Sequence, residues 1–328
     1  MSFSSDVKTE LAKQMGVGRH CQIAELAAII SMCGRIKITR DNEYRLFVYT
    51  ENFPVAGKSY RLLKKTFGAS LSVSVRRNAR TSGSRIYIVA VDDMVVSKKI
   101  LEAVKLIDKY GDISENLSVD NIVIQNTCCK RAFIRGAFLA AGSITDPSKS
   151  YHFEVTAATQ SKAQQLQKIF SCFNIDAKII QRKKYFVVYL KEGDQIADML
   201  NVMEAHVALM NLENVRILKE MRNNVNRQVN CETANIHKSI TAAGRQVADI
   251  ELIKKVKGLD SLPDNLKKVA KLRLEHEDMP LKELGLLLEP PLGKSGVNHR
   301  LKKLGEIAEA IRDQKKEDFS YDNQKDDH

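Results

Sequence analysis

Between Lys294 and Lys303 the chain sets four basic residues and no acid. Ser295, Asn298 and His299 stand among them, so the segment can reach both base edges and phosphates: Asn pairs with adenine, His and Lys with guanine, and Lys or Ser with phosphate oxygens. A second group with potential chemistry is a pair of nine-residue segments, Leu26-Ala-Ala-Ile-Ile-Ser-Met-Cys-Gly34 and Ile134-Arg-Gly-Ala-Phe-Leu-Ala-Ala-Gly142, 108 positions apart. The position before each final Gly holds Cys33 and Ala141. A hard cation such as Mg²⁺ takes oxygen ligands, and a two-metal phosphodiester cut needs carboxylates near the scissile phosphate. Neither residue supplies one. The acids nearest the segment ends are Asp41, Glu43 and Asp146, which would have to converge from unequal offsets on one metal pair. Six cysteines (Cys21, Cys33, Cys128, Cys129, Cys172 and Cys231) form no C-x-x-C pair and have no accompanying His spacing. Reduced thiols and no metal site are therefore expected, with Cys128-Cys129 read as local packing.

These residues need elements to hold them. Each nine-residue segment is a mostly apolar helix with small side chains on one side, suited to close helix pairing, and Gly stops each one. A strand-like alternation follows each, Tyr44 to Thr50 and Tyr151 to Ala157. Next come an amphipathic helix (Tyr60 to Phe67; Lys162 to Phe173), a hairpin (Ser70 to Arg76 with Arg85 to Val91; Ala177 to Arg182 with Tyr185 to Leu190) and a closing helix (Ser97 to Asp108; Gln195 to Met203). The order helix, two strands, helix, two strands, helix occurs twice at matching offsets, which predicts a duplicated α+β unit, (αββαββα)₂, over 1–112 and 113–210. Two unrelated α+β domains are the alternative. Arg131 and Arg135, beside the second segment, read as packing residues.

From Asn211 the signal is helical, giving a polar linker over 211–257 and a small all-α domain over 258–313. Asp264 is expected to cap a helix running to about His276, and a second helix covers Pro280 to Leu288. Glu289-Pro-Pro-Leu-Gly293 interrupts it, and Ser295 is expected to cap a third helix to about Arg312. Two helices around a break, the second basic, follow the helix-turn-helix plan, although roughly six residues between Leu288 and Ser295 exceed its usual turn. Along the third helix Val297, Leu301, Leu304, Ala308 and Ile311 fall in a stripe about 80° wide that must face a core. Ser295, His299 and Lys302 lie opposite, flanked by Asn298 and Lys303. A solvated face on an ordinary amphipathic helix has the same pattern, but the Pro-Pro break, the preceding short helix and the basic excess favour DNA. The tail over 314–328, with three Lys against five acids, is expected to be disordered.

Composition bounds the rest. With 328 residues, 44% hydrophobic and 28% charged, the chain can build two or three ordinary globular domains. No run of 18 apolar residues predicts a membrane span, and no signal-peptide order opens the chain. A net charge of +12 suits a nucleic-acid partner, while the absence of Trp and 6% aromatic content disfavour a single-strand binder that stacks bases.

The paired apolar segments ending in Gly34 and Gly142 resemble the LAGLIDADG motif of homing endonucleases, in which an acid before that Gly binds catalytic Mg²⁺. Three segments together resemble the WhiA family over almost the whole chain: Cys129-Lys-Arg-Ala-Phe-Ile-Arg-Gly-Ala-Phe-Leu-Ala-Ala-Gly142, Asn230-Cys-Glu-Thr-Ala-Asn235 and Pro290-Pro-Leu-Gly-Lys-Ser-Gly-Val-Asn-His-Arg-Leu-Lys-Lys-Leu304. The resemblance implies a degenerate LAGLIDADG-like domain fused to a helix-turn-helix domain related to the promoter-reading region of sigma factors. It also implies a role in cell division, chromosome segregation and transcription regulation, with sporulation in filamentous relatives. Carried over residue by residue, it makes Lys294, Ser295, Asn298, His299, Arg300, Lys302 and Lys303 the recognition segment. Arg76, Arg77, Arg80, Arg182, Lys183 and Lys184 become secondary DNA contacts at the hairpin loops. Double-stranded DNA is the expected partner, with RNA polymerase or division proteins as further candidates, no cofactor, and a cytoplasmic, nucleoid-associated location. A non-catalytic DNA-binding regulator is the leading reading, against an interaction platform with incidental DNA contact and an active nuclease using displaced carboxylates.

Overall fold

A computed structural model describes residues 2–39, 43–77, 85–108, 112–114 and 119–322, with side chains to 314. The chain forms two compact units, 1–220 and 221–328.

The first unit contains both halves of the duplication. Helix α1 (Phe3–Lys13) precedes α2 (Arg19–Cys33), β1 (Gly34–Ile38), β2 (Tyr44–Thr50), α3 (Phe53–Phe67), β3 (Leu71–Arg77), β4 (Arg85–Val91) and α4 (Met94–Ala103). The second half repeats the pattern as α5 (Thr127–Ala141), β5 (Gly142–Ile144), β6 (Phe153–Ala157), α6 (Gln160–Ser171), β7 (Lys178–Arg182), β8 (Tyr185–Leu190) and α7 (Gly193–Val202). Each half folds an antiparallel four-stranded sheet, in the orders β1-β2-β4-β3 and β5-β6-β8-β7. Period-two alternation selects the inner faces: Tyr44, Leu46 and Val48 on β2, and Phe153, Val155 and Ala157 on β6, are buried. The expected α+β duplication is present, and α1 is an addition that the sequence reading lacked.

Helix starts were set by capping that the apolar pattern does not report. Helix α3 begins at Phe53 rather than Tyr60 because the Asn52 side chain accepts from the Val55 amide and Pro54 occupies the first turn. Helix α4 begins three residues before Ser97, where Asp93 accepts from the amides of Val95 and Val96. The motif glycines have another reason than a left-handed cap: Gly34 and Gly142 are extended, with φ of −77° and −86°. A Cβ on Gly34 would lie 2.4 Å from the Ile30 carbonyl oxygen, and one on Gly142 would lie 2.2 Å from the Phe138 ring. Each turn therefore folds so closely onto its own helix that only glycine fits.

Helices α2 and α5 cross at the centre of this unit. They approach closely at Gly136, where a Cβ would meet the Glu25 carbonyl oxygen at 2.4 Å and the Ala28 methyl at 2.9 Å. Beside the crossing, Glu25 is fully buried and its Oε1 binds Lys58 Nζ at 3.0 Å and Arg135 Nε at 3.3 Å. Arg135 also reaches Glu204 Oε2 at 2.8 Å. Arg131 lies over the Phe173 ring at 5.8 Å, whereas Arg135 is held in this buried ionic cluster.

The region expected as a linker is one helix, α8 (His206–Val256). The second unit continues with α9 (Asp264–Glu275), the short α10 (Leu281–Leu286) and α11 (Lys294–Asp322). Its core joins Ile250 and Ile253 to Leu266, Val269, Leu284 and the apolar stripe of α11. Asp264 is the first helical residue of α9 and makes no cap; Pro263 holds that position with its fixed φ. Ser295 likewise sits inside the first turn of α11, whose opening carbonyl is that of Gly293, accepting from Val297 at 3.2 Å. The turn between α9 and α10 is organised by buried Arg273, whose Nη1 donates to the carbonyls of His276, Glu277 and Met279. At its other end α10 meets the returning chain: a Cβ on Gly285 would lie 2.1 Å from the Leu292 carbonyl oxygen. Beyond the expected end at Arg312, α11 continues to Asp322, because Gln314, Lys315, Lys316 and Glu317 are all good helix formers. Residues 323–328 of the expected tail lie outside the described residues.

Candidate nucleic-acid interface

The stripe assigned from periodicity is the buried side of α11: Val297, Leu301, Leu304, Ala308 and Ile311 are each at most 3% exposed. Their burial turns Lys294, Ser295, Asn298, His299, Lys302 and Lys303 to solvent. Arg300, of the same expected set, is less exposed than these. It is half-buried and its Nη1 donates to the Asn265 carbonyl at 3.3 Å, so its guanidinium braces α11 against α9.

Asn298 and Lys302 border a groove of about 1040 Å³ whose opposite wall is His237, Lys238 and Arg245 on α8. His299 and Lys303 lie outside that lining. An ion pair of 2.5 Å between Arg312 and Asp249 spans the far end of the groove. Sequence reasoning missed the α8 wall because a polar 211–257 segment reads as a connector; the clue was that His237, Lys238, Thr241 and Arg245 recur at helical spacing.

In the first unit, Arg76 and Arg77 end β3 in exposed positions. Arg80 and Asp41 lie outside the described residues. Arg182, Lys183 and Lys184 are exposed at the β7–β8 turn, with Arg182 Nη1 3.5 Å from Glu154 Oε2. Pairing registers place Arg35, Lys37, Arg45 and Arg76 on one face of the first sheet, together with Phe47 and Tyr49. No strand residue on that face is acidic. Arg35 lies over Tyr49 at 4.9 Å and Lys37 over Phe47 at 5.6 Å, which holds both cations flat on the sheet. The equivalent face of the second sheet carries Lys178 and Arg182 together with Glu154, which pairs with His152 at 3.0 Å, so the face free of acidic strand residues is that of the first sheet. The alternation Arg35-Ile36-Lys37 was the available signal.

The motif ends offer a cation little. Cys33 donates its thiol to the Ile29 carbonyl at 3.2 Å, and burial pushes that thiol up to about 12, with Lys8 opposing. Ala141 presents a methyl group. A cavity of about 600 Å³ beside Ala141 is lined by Lys8, Arg35 and Glu51, among others, so its charged lining holds two cations and one acid. Asp146 points into its own turn, accepting from the Ser148 hydroxyl at 2.7 Å and the Ser148 amide at 2.9 Å, contacts that hold its carboxyl below the usual range.

One arrangement is assembled from two distant segments of the chain. His20, Cys21, Cys128 and Cys129 meet at the N-terminal ends of α2 and α5, with their ligand atoms all within 4.8 Å of one another. His20 Nδ1 is 3.2 Å from Cys129 Sγ, 3.3 Å from Cys21 Sγ and 3.9 Å from Cys128 Sγ. Burial and the neighbouring thiols push Cys21 up to about 12, and burial raises Cys129. The sequence reading placed no metal ligands here because it sought C-x-x-C pairs along the chain, whereas these donors come from two helices.

Comparison with known proteins follows the same division of the chain. Residues 19–107 match the WhiA N-terminal LAGLIDADG-like domain, 130–222 the WhiA LAGLIDADG-like domain, and 225–308 the WhiA C-terminal HTH domain. The probable cell division protein WhiA of Lachnoclostridium phytofermentans is 52% identical over 313 residues, covering 95% of this chain and 100% of that protein. Its namesake from Alkaliphilus oremlandii is 47% identical over 317 residues, covering 96% and 99%. The crystal structure of full-length DUF199/WhiA from Thermatoga maritima superimposes with a TM-score of 0.59 at 25% identity, over 94% of this chain and 99% of that one. Matches spanning both units and the order of their elements show that the chain belongs to the WhiA family, with paired LAGLIDADG-like regions followed by a C-terminal helix-turn-helix domain.

Proposed function

We propose that this chain is a non-catalytic, sequence-specific DNA-binding protein that regulates transcription in support of cell division and chromosome segregation. The observation that carries the reading is α11: its apolar stripe is consumed by the core, which leaves Ser295, Asn298, His299, Lys302 and Lys303 exposed on a helix-turn-helix domain. Lys294, at its first turn, suits a phosphate, while Asn298 and His299 carry the groups that distinguish bases. Arg300 serves as a brace. The relatives' name, probable cell division protein, supports the process assigned. The basic face of the first sheet, with Arg76 and Arg77 at its edge, suits a second phosphate contact, and the turn residues Arg182, Lys183 and Lys184 suit another.

Such binding releases condensed counterions from the duplex. Full-length protein titrated against duplex DNA should lose affinity on the order of tenfold or more between about 50 and 200 mM salt. A flat salt response would overturn the reading. Genome-wide crosslinking should then show enrichment at a shared sequence motif; enrichment without one would favour a protein-interaction platform whose DNA contact is incidental.

The same geometry argues against cleavage, since Cys33 and Ala141 supply no oxygen ligand where a metal-dependent nuclease of this shape needs carboxylates. Plasmid libraries incubated with the protein and Mg²⁺ or Mn²⁺ should remain uncut. Reproducible double-strand cuts that disappear on Asp41→Asn or Asp146→Asn would establish the nuclease instead.

A further inference from the structure

We propose that His20, Cys21, Cys128 and Cys129 form a zinc site that ties the start of α2 to the start of α5 and so fastens the two halves of the LAGLIDADG-like unit together. The donor set is three sulfurs and one imidazole nitrogen, a combination that selects Zn²⁺ over hard, oxygen-seeking cations. Tetrahedral zinc with Zn–S near 2.3 Å and Zn–N near 2.05 Å requires N···S separations of about 3.5–3.6 Å. The three observed separations from His20 Nδ1, 3.2, 3.3 and 3.9 Å, bracket that value. Four donors complete the shell, which marks a structural site rather than one with an open position for substrate.

The duplication explains why the donors meet. Gly34 and Gly142 are equivalent positions 108 apart, and the same offset carries His20 onto Cys128 and Cys21 onto Cys129. Each half thus contributes two consecutive residues from the same turn of its central helix. Gly18 gives the imidazole room, since a Cβ there would lie 2.6 Å from His20 Nε2.

Electrostatics at the helix ends point the same way. Neither α2 nor α5 has a side-chain hydrogen bond at its N-cap or an acid in its first turn. Both present uncapped amides and the positive end of the helix dipole to the cluster. Zinc binding releases three thiol protons and leaves a centre of net charge −1, the sign these two helix ends favour.

Full-length protein purified without chelator should contain about one zinc per chain by elemental analysis. Substitution with Co²⁺ should produce the visible absorption of a tetrahedral thiolate site. Cys128→Ser, at an exposed position, and His20→Ala should each weaken zinc binding by more than the roughly 100-fold that loss of an outer-shell partner costs, with unchanged far-ultraviolet circular dichroism. A chelator should lower the melting temperature of the native protein but not that of Cys128→Ser, while the double variant Cys172→Ser/Cys231→Ser retains its zinc. Zinc-free protein that takes up neither Zn²⁺ nor Co²⁺ stoichiometrically would overturn the proposal. So would metal that survives Cys128→Ser and His20→Ala, or a disulfide between these cysteines found by mass spectrometry of protein alkylated at isolation.

Discussion

Replacing Glu25 with Ala should destabilise the first unit by about 3–5 kcal/mol, the typical cost of removing one partner from a buried ionic group. Glu25 is fully buried, and its Oε1 faces both Lys58 and Arg135, themselves buried. Burial already lowers the proton affinity of Lys58, with Glu25 opposing that shift. Without the carboxylate two cations remain in an apolar interior with one compensating acid, Glu204, whose side chain is 45% exposed. Glu25→Gln keeps an acceptor oxygen in place and should cost less than Glu25→Ala. Glu204→Ala is the control, because a partly solvated pair contributes only about 0–1 kcal/mol. Denaturant unfolding followed by hydrogen exchange, which resolves the two units, checks the ranking. A change below about 1 kcal/mol for Glu25→Ala would show that Lys58 and Arg135 are not left as uncompensated buried charges, and would overturn the prediction.

Leu301→Ala should destabilise the second unit by about 2–5 kcal/mol and leave the first unit's unfolding untouched. Leu301 is 3% exposed in a core shared with Leu266, Val269, Leu284 and Leu304, and truncation there leaves a cavity that its neighbours only partly fill. Two and three positions earlier on the same helix the expectation changes in kind. Asn298→Ala and His299→Ala should leave stability nearly unchanged, since both side chains are exposed. Each should cost about 1–3 kcal/mol on the preferred DNA site and less on random DNA. Lys303→Ala should weaken binding to all sequences alike and reduce the salt slope by roughly one unit. Arg300→Ala should act on stability more than on base preference, as its guanidinium is bound to the Asn265 carbonyl. If Asn298→Ala and His299→Ala leave the ratio of specific to random binding unchanged while Leu301→Ala leaves the melting temperature unchanged, the recognition face has been assigned to the wrong side of α11.

These two predictions rest on different kinds of information. The α11 stripe was legible in the sequence because a helix repeats every 3.6 residues whatever surrounds it, so spacing alone separates Leu301 from His299. Strand alternation on β2 and β6 and the equal offsets of the two halves were legible for the same reason: each is a property of a short stretch read along the chain. The loss of acids at Cys33 and Ala141 is likewise a matter of residue identity. Capping was only partly legible, since Asp264 and Ser295 have the right chemistry for caps but stand inside their helices, and the true starts depend on how the preceding turns pack. Burial of Glu25 with Lys58 and Arg135 could not be read at all, because an acid in an apolar helix carries no mark of partners 33 and 110 positions away. Nor could the bond from Arg300 to the Asn265 carbonyl, or the approach of His20 to Cys129 across 109 positions. Local periodicity follows from backbone geometry and is written in the order of residues; which side chains converge across helices follows from the crossing of α2 and α5, set by the closeness that Gly136 permits, and only the packed structure decides it.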